Sequence, residues 1–477
     1  MNANPYSGLC ETAESITTGG LSAEAYAICL VERIEAYNPV INAVIRFSPE
    51  RALELARAAD LARAAGPVGP LHGIPLAHKD MFYRAGMVTS CGSRIRGDFR
   101  PQITATVLKR LDLAGAFEVG ALNMSEFAQG PTGHNLHFGP ARNPWNTARV
   151  TGGSSSGSGA AVAAGFVPAS LGSDTGGSVR IPAACCGITG LKPTWSRVSR
   201  HGAMPLAPSL DCIGPLARSA RDCARMLAVV AGQDPADPTA SRRPVPDYEA
   251  ALDGDLRGMR IGIARTWFLD GVSQAAMTRF RAAVDVLEGR GARCIDLDLP
   301  LMDQIAVYSG IASRVEVAAQ HAEWMRELPH IYAVHVSARM YPGYVIPAVY
   351  YLTAMRQRGA ILNAFVREVF TRVDALATPT LRQTPPTIAE TDVDAGVEGA
   401  VPKFLSLSAN TRPVNYLGLP AITVPSGLDH LAMPTGLQLI GRPFAEARIL
   451  RIADAYQRDT EWHHLRPPAA ETRSMGG

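Results

Sequence analysis

The sequence has 477 residues, of which 47% are hydrophobic and 19% are charged. This composition predicts a globular protein with a large core and excludes a disordered chain. The net charge is only +3 and no basic block is present, which argues against nucleic acid or an anionic membrane as a direct partner.

The predicted elements alternate between helix and strand along the first third of the chain. Helical patterns cover residues 22–37, 49–65 and 104–114, and strand patterns cover 41–47, 74–78 and 116–120. Residues 242–258 are rich in Pro and Asp and indicate a linker or a surface crossing. Strands are predicted again at 260–264 and 294–297, on either side of a helix at 273–290.

The last third of the chain is predicted as a helical insertion followed by buried strands. Residues 301–370 have little strand character, and 374–377, 421–424 and 436–440 are apolar strand candidates. Such alternation is typical of an α/β fold, with a mixed central β-sheet sandwiched between helices. We expect one domain over residues 1–477, with a disordered tail at 467–477.

Cysteine usage and the N-terminus indicate the compartment. Eight cysteines occur without a CxxC pair at metal spacing, which is typical of reduced thiols in the cytosol. The sequence does not open with a basic segment before an apolar run, so no secretory signal is predicted. No apolar stretch reaches the length of a membrane span. We expect a cytoplasmic protein with no metal and no membrane contact.

The most informative stretch runs from 151 to 182 and contains two Gly-Gly-Ser turns, which end at Ser154 and Ser178. Paired glycines let the backbone approach a ligand closely and point its N–H groups at one spot. That geometry suits a serine nucleophile whose oxyanion is held by backbone amides. The turns therefore predict acyl transfer.

Three other interpretations of this stretch compete with acyl transfer at the turns. A flexible linker is disfavoured because the tract lies between apolar segments and an Ala-rich helix follows it. A phosphate loop would need the GK[ST] ending, which is absent. Residues 153–157 match the GxSxG elbow of α/β-hydrolases, which would make Ser155 the nucleophile and require a downstream acid and histidine. The elbow stays open as an alternative.

A candidate base follows a short apolar strand. Lys79 comes directly after the apolar run at 74–78, in a sequence where lysine is scarce. Burial lowers the pKa of a lysine and can make it a neutral proton acceptor.

Several long motifs, in the same order, resemble the amidase signature family. They are dense between 71 and 216 and looser beyond about 258, and they lie at 73–80, 123–128, 152–155, 174–182, 186–194, 211–215, 419–421 and 434–438. The resemblance covers nearly the whole chain. It implies hydrolysis of a C–N acyl bond without a metal or an organic cofactor.

The family's Ser–cis-Ser–Lys triad falls on three residues of this sequence. The resemblance implies that Ser178 is the nucleophile, that Ser154 relays the proton and that Lys79 is the base. In the family the peptide bond before the bridging serine is cis. The implied oxyanion hole consists of the backbone N–H groups of Thr175, Gly176, Gly177 and Ser178.

The resemblance also suggests residues around the triad. Asp174 and Arg180 flank the second turn and are expected to fix it by hydrogen bonds or an ion pair. Met124 and the loop to Gly130 resemble the segment that lines the acyl site, and Gly153 joins them as a predicted substrate-binding residue. The helical insertion at 301–370 is expected to shape the substrate pocket, although no family motif marks its residues.

We expect a stand-alone hydrolase whose partners are small molecules, namely an amide, anilide, carbamate or ester, with no nucleic acid; a homodimer is left open. The alternative is the A-type chain of a glutamyl-tRNA amidotransferase-like complex, which works only with partner chains and ATP. In those chains Gln usually stands at the position of Cys212, and none of their glutamine-handling residues is recognised in the C-terminal half. These departures favour the stand-alone enzyme.

Overall fold

The computed structural model describes residues 3–66 and 68–470. Its strands are β1 (Val44–Phe47), β2 (Pro75–Lys79), β3 (Phe117–Leu122), β4 (Arg142–Asn143), β5 (Asn146–Val150), β6 (Ala169–Asp174), β7 (Thr189–Lys192), β8 (Cys212–Ala217), β9 (Arg260–Ala264), β10 (Arg293–Leu297), β11 (Ala375–Pro379), β12 (Ala421–Leu428) and β13 (Pro434–Gly441).

The α-helices of the described residues are α1 (Leu9–Thr17), α2 (Ala23–Ile41), α3 (Pro49–Ala65), α4 (Thr106–Leu113), α5 (Ser156–Ala163), α6 (Arg180–Cys186), α7 (Ala220–Val230), α8 (Gln274–Gly289), α9 (Met302–Gln320), α10 (Ala322–Glu327), α11 (Val334–Val345), α12 (Ala348–Val369), α13 (Ala400–Ser406), α14 (Arg412–Tyr416) and α15 (Glu446–Arg458). Among them, none combines the length and the apolar character that a membrane crossing needs.

The central sheet has eight strands in the order β10-β9-β11-β13-β12-β7-β8-β6. Strands β10, β9 and β11 are parallel, and the remaining pairs are antiparallel. Every residue of β6, β7, β8 and β11 is buried. Since side chains alternate between the two faces of a strand, both faces of this sheet are covered. Helices α6, α8 and α15 pack against it, which confirms the predicted mixed sheet between helices.

A second, three-stranded sheet has the order β1-β3-β2. Strand β2 is parallel to β3 and packs against β6 of the central sheet. The carboxyl ends of β2 and β6 hold Lys79 and Asp174, so the packing of the two sheets brings these ends together.

Two element boundaries differ from the sequence pattern for local reasons. Helix α2 passes Pro39 and ends at Ile41, where a stop at residue 37 was expected. The side chain of Asn38 accepts hydrogen bonds from the N–H groups of Ala43 and Val44, and Asn42 adopts the left-handed conformation of a C-cap. The strand therefore begins at Val44 and not at residue 41.

The C-terminal part of the chain also departs from expectation. The segment 301–370 contains helices α9 to α12, as its composition predicts. The expected disorder from 467 onward does not hold for its described part, because Pro468–Ala470 forms a 3-10 turn and the N–H of Ala469 donates to Pro144 O at 3.1 Å. Residues 471–477 lie outside the described residues.

Candidate active site

Lys79 lies at the end of β2 and is only 1% exposed. Its Nζ donates to Ser154 Oγ at 2.7 Å and to Ser173 Oγ at 2.8 Å. Burial lowers the pKa of Lys79 to about 7, although the nearby carboxylates of Asp174 and Asp211 oppose this shift. A lysine with that pKa is partly neutral at neutral pH and can accept a proton.

Ser154 is held by a tight turn before α5. The Gly153–Ser154 peptide bond is cis, and the N–H of Gly153 donates to Pro131 O at 2.7 Å. A Cβ at position 153 would lie 2.5 Å from Gly130 O, so a side chain does not fit. The glycine before Ser154 is therefore required by close backbone approach.

Ser178 lies in the turn between β6 and α6 and lines a cavity of about 320 Å³. Gly177 has φ of +128°, and a Cβ there would lie 2.1 Å from Thr411 Oγ1. That hydroxyl donates to Gly176 O at 2.6 Å. Glycine at 177 thus satisfies both the backbone conformation and the packing of the turn.

The four amides predicted for the oxyanion hole differ in their hydrogen bonds. The N–H of Gly177 donates to Asp174 Oδ1 at 2.8 Å. Within the described chain, the N–H groups of Thr175, Gly176 and Ser178 have no acceptor. These three amides are therefore available to a ligand, and that of Gly177 is already engaged.

Asp174 and Arg180 form a fully buried ion pair beneath the turn. Arg180 Nη2 lies 2.9 Å from Asp174 Oδ1, and both side chains are 0% exposed. Burial alone would raise the pKa of the Asp174 carboxyl, but the charge and hydrogen bonds of Arg180 outweigh burial and hold that pKa well below its ordinary value. The ionised carboxylate also accepts from the N–H of Val179 at 3.1 Å, so the pair fixes the backbone around Ser178.

The predicted substrate-binding residues do not all line the cavity. Gly130 lines the cavity beside Ser178, whereas Met124 and Gly153 are not among the lining residues. Met124 is 0% exposed, and its carbonyl accepts from Asn135 Nδ2 at 2.8 Å.

The sequence indicated that the segment 301–370 shapes the substrate pocket, but it identified none of the side chains with which that segment lines the cavity. Helices α9, α11, α13 and α14 contribute side chains that no motif marks, among them Arg314, His335, Arg339, Phe404 and Arg412. The helical pattern of 301–370 was visible, but the pattern does not say which side chains meet the turns.

Ser155, the rival nucleophile, is buried outside the cavity lining. Its Oγ donates to Ser173 O and its N–H to Ser178 O, both at 3.3 Å. In the described part of the chain no histidine is hydrogen-bonded to it. Nor do residues 3–66 and 68–470 contain three or more His, Cys, Asp or Glu side chains grouped as a metal site.

One known protein family matches most of this chain. The sequence profile of the family described as Amidase matches residues 28–450. The chain is 42% identical to the A-type chain of the glutamyl-tRNA(Gln) amidotransferase of Roseiflexus sp. (strain RS-1), over 96% of this chain and 97% of the relative.

Solved structures of similar chains have the same fold. One, described as a vestigial protein complex that reveals the origins of an s-triazine catabolic enzyme, is 34% identical with a TM-score of 0.88 and covers 95% of this chain and 98% of its own. The A-type chain of the glutamyl-tRNA(Gln) amidotransferase of Thermotoga maritima is 32% identical with a TM-score of 0.80, and 96% of each chain is covered.

These similarities correct the expectation about partners. We expected a stand-alone enzyme with small-molecule partners only and no nucleic acid, and this is wrong, since its curated relatives are subunits of a tRNA amidotransferase. The low net charge, on which that expectation was based, is a property of this chain alone. It does not address contacts made by other chains of an assembly.

Proposed function

The chain belongs to the amidase signature family, and on that premise we propose that it is the amide-hydrolysing, A-type chain of an amidotransferase-like assembly. The observation that carries the hydrolytic part is the buried hydrogen bond between Lys79 Nζ and Ser154 Oγ. The N–H of the next residue, Ser155, donates to Ser178 O at 3.3 Å and so connects this turn to that of Ser178. The observation behind the assembly part is the 42% identity to A-type chains over 96% of this chain.

The reaction begins with proton transfer away from the nucleophile. Neutral Lys79 takes the proton of Ser154, which in turn takes the proton of Ser178. The Oγ of Ser178 then attacks the carbonyl carbon of the amide and forms a C–O bond. Because the pKa of Lys79 is about 7, the base is available without a metal or a histidine.

Negative charge then develops on the carbonyl oxygen of the substrate. The N–H groups of Thr175, Gly176 and Ser178 are the donors for it, since they have no other acceptor within the described residues. Ser154 returns the proton to the amide nitrogen, the C–N bond breaks, and ammonia leaves. Water then attacks the acyl-Ser178 ester, releasing the carboxylic acid and restoring the hydroxyl of Ser178.

The surface offers support for a protein partner. Seven large apolar side chains along residues 334–352 are at least 45% exposed: Val334, Tyr341, Tyr344, Val345, Val349, Tyr350 and Leu352. A run of exposed apolar side chains is typical of an interaction surface. We assign this segment of α11 and α12 to the contact with another chain of the assembly.

The experiment has two arms. Ammonia release from small carboxamides is measured for the wild type and for Ser178→Ala, and the tagged chain is purified from its native host under mild conditions. We expect release that depends on Ser178, and stoichiometric partner chains that are lost in Tyr350→Asp. A chain that is monomeric in the host and fully active alone would contradict the assembly, and unchanged release by Ser178→Ala would contradict the hydrolysis.

A further inference from the structure

The cavity beside Ser178 is positively charged. Three arginines from three helices line it, Arg314, Arg339 and Arg412, and no Asp or Glu is among the described residues of the lining. Within the described residues, none of these arginines forms an ion pair. Uncompensated guanidinium groups around one cavity favour the binding of an anion, and Arg matches a carboxylate with parallel N–H donors.

Buried polar atoms of the lining also lack partners. Gln129 Nε2 and Arg339 Nη1 are both buried without a hydrogen bond in the described chain, and so is His335 Nε2. The other ring nitrogen of His335, Nδ1, lies 2.7 Å from Asp394 Oδ2 and is the donor of the ring to that carboxylate. A buried donor without an acceptor is costly, and an anionic ligand would satisfy the nitrogens of Gln129 and Arg339.

The charges of the three arginines act on one another. Burial and the neighbouring charges of Arg412 and Arg314 lower the pKa of Arg339 to about 9. Burial also lowers the pKa of Arg412, with a further contribution from Arg314. Arg339 is still protonated at neutral pH, so the three guanidinium groups repel one another, and a bound anion would offset this repulsion.

The arginines are connected to the reacting turn. Thr411 Oγ1 donates to Gly176 O at 2.6 Å, and a Cβ built on Gly176 would lie 3.9 Å from Arg412 Cγ. The stem of Arg412 therefore packs against the turn that carries Ser178, while its Nη2 donates to Ser408 Oγ at 2.7 Å. One cavity is thus lined both by Ser178 and by the three arginines.

We propose that the substrate is a carboxamide whose acyl part carries a carboxylate and no ammonium group, such as the monoamide of a dicarboxylic acid. The carboxylate binds among Arg314, Arg339 and Arg412 while the amide carbon faces Ser178. This inference rests on the proposed hydrolysis at Ser178. Free glutamine suits the cavity less well, because its ammonium group would meet arginines and no lining carboxylate.

The test compares matched amides by ammonia release. The substrates are monoamides of dicarboxylic acids of increasing chain length, neutral primary amides of the same lengths, and glutamine beside glutaramate, which differs only by lacking the ammonium group. We expect kcat/KM to favour the best monoamide over its neutral counterpart by about 10- to 100-fold, the range for hydrogen bonds to charged groups. Equal or better turnover of the neutral amides, or of glutamine, would overturn the inference and leave the hydrolysis intact.

Variants locate the anion site. Arg339→Gln should lower the ratio of kcat/KM for anionic over neutral amides at least severalfold, with the loss mainly in KM, and Arg339→Lys should restore part of it. Arg314→Gln is a second variant at an exposed position, in case Arg339→Gln does not fold. Arg367→Gln is the matched control, since that side chain is 73% exposed on α12 and absent from the lining. An unchanged ratio in both pocket variants would contradict the assignment.

A binding measurement separates this inference from the proposed reaction. Isothermal titration of the Ser178→Ala variant with dicarboxylates such as glutarate needs no turnover. We expect binding that is lost when Arg339→Gln is added. Absence of binding by any chain length overturns the anion site, whereas binding without ammonia release in the wild type contradicts only the hydrolysis.

Discussion

The backbone N–H of Leu171 donates to Nδ1 of His78 at 3.0 Å and ties β6 to β2. Burial and the nearby charge of Arg84 lower the pKa of His78 to about 3, so the ring is neutral and its nitrogen accepts. Lys79 follows His78 directly, and Ser173 lies two residues beyond Leu171 on β6. This hydrogen bond therefore joins the two strands next to the contact between Lys79 and Ser173.

Replacement of His78 should test that connection. His78→Leu leaves the buried N–H of Leu171 without an acceptor, which costs about 1–3 kcal/mol, whereas the side-chain oxygen of His78→Asn can replace Nδ1. We expect the urea midpoint to fall further in His78→Leu than in His78→Asn. Equal midpoints in the two variants would show that the hydrogen bond does not stabilise the junction.

The pH dependence of hydrolysis should follow the protonation of Lys79. Its pKa is lowered to about 7, and only the neutral amine accepts a proton, so the active form is lost as the pH falls below that value. We expect kcat/KM to rise through an acidic limb centred near pH 7 and to level off above it. Lys79→Arg stays charged at every pH and should be inactive throughout. A wild-type profile that is flat between pH 5 and 9 would contradict this role.

Adjacent serines provide a matched pair of variants. Ser154 and Ser155 are both 0% exposed, but only Ser154 is hydrogen-bonded to Lys79. We expect Ser154→Ala to lower kcat by about 10²–10⁴-fold, the usual contribution of a positioned proton-transfer group, and Ser155→Ala to retain most activity. Steady-state ammonia release checks both. The reverse order would favour the GxSxG elbow.

The buried pair under the turn should be important for stability. Arg180→Met leaves the carboxylate of Asp174 unpaired where both side chains are 0% exposed, and breaking a buried pair costs about 3–5 kcal/mol. Arg265→Met removes an exposed pair with Asp298 and serves as the control, with a much smaller change expected. Thermal and urea unfolding measure the difference. Similar losses in the two variants would contradict the structural importance of the Asp174–Arg180 pair.

Much of the fold follows from strong local signals. The pattern predicted 49–65 and 260–264, and these are the bounds of α3 and β9. The first segment begins at a proline and is rich in alanine, the strongest helix former. The second has isoleucine at alternate positions, which is typical of a strand. The end of α2 was missed because the side chain of Asn38 and the left-handed backbone of Asn42 cap the helix beyond a proline. Such capping depends on contacts that periodicity does not encode.

The site was predictable where backbone geometry restricts the sequence. Close packing around Gly153 and Gly177 requires glycine, so the turns of Ser154 and Ser178 are visible as motifs. The grouping of three arginines around the cavity was not predictable, because Arg314, Arg339 and Arg412 come from separate helices. Cys212 did not predict whether the chain has protein partners. It is buried, its Sγ lies 3.8 Å from Lys192 Nζ, and it does not line the cavity beside Ser178.

The most direct test of the central claim is to label the protein with a fluorophosphonate and fragment the tryptic peptide that spans residues 150–180, which contains both rival serines. We predict one adduct, on Ser178, which is lost in Lys79→Ala. An adduct on Ser155, or one on Ser178 that forms equally well without Lys79, would contradict the Ser–Ser–Lys mechanism.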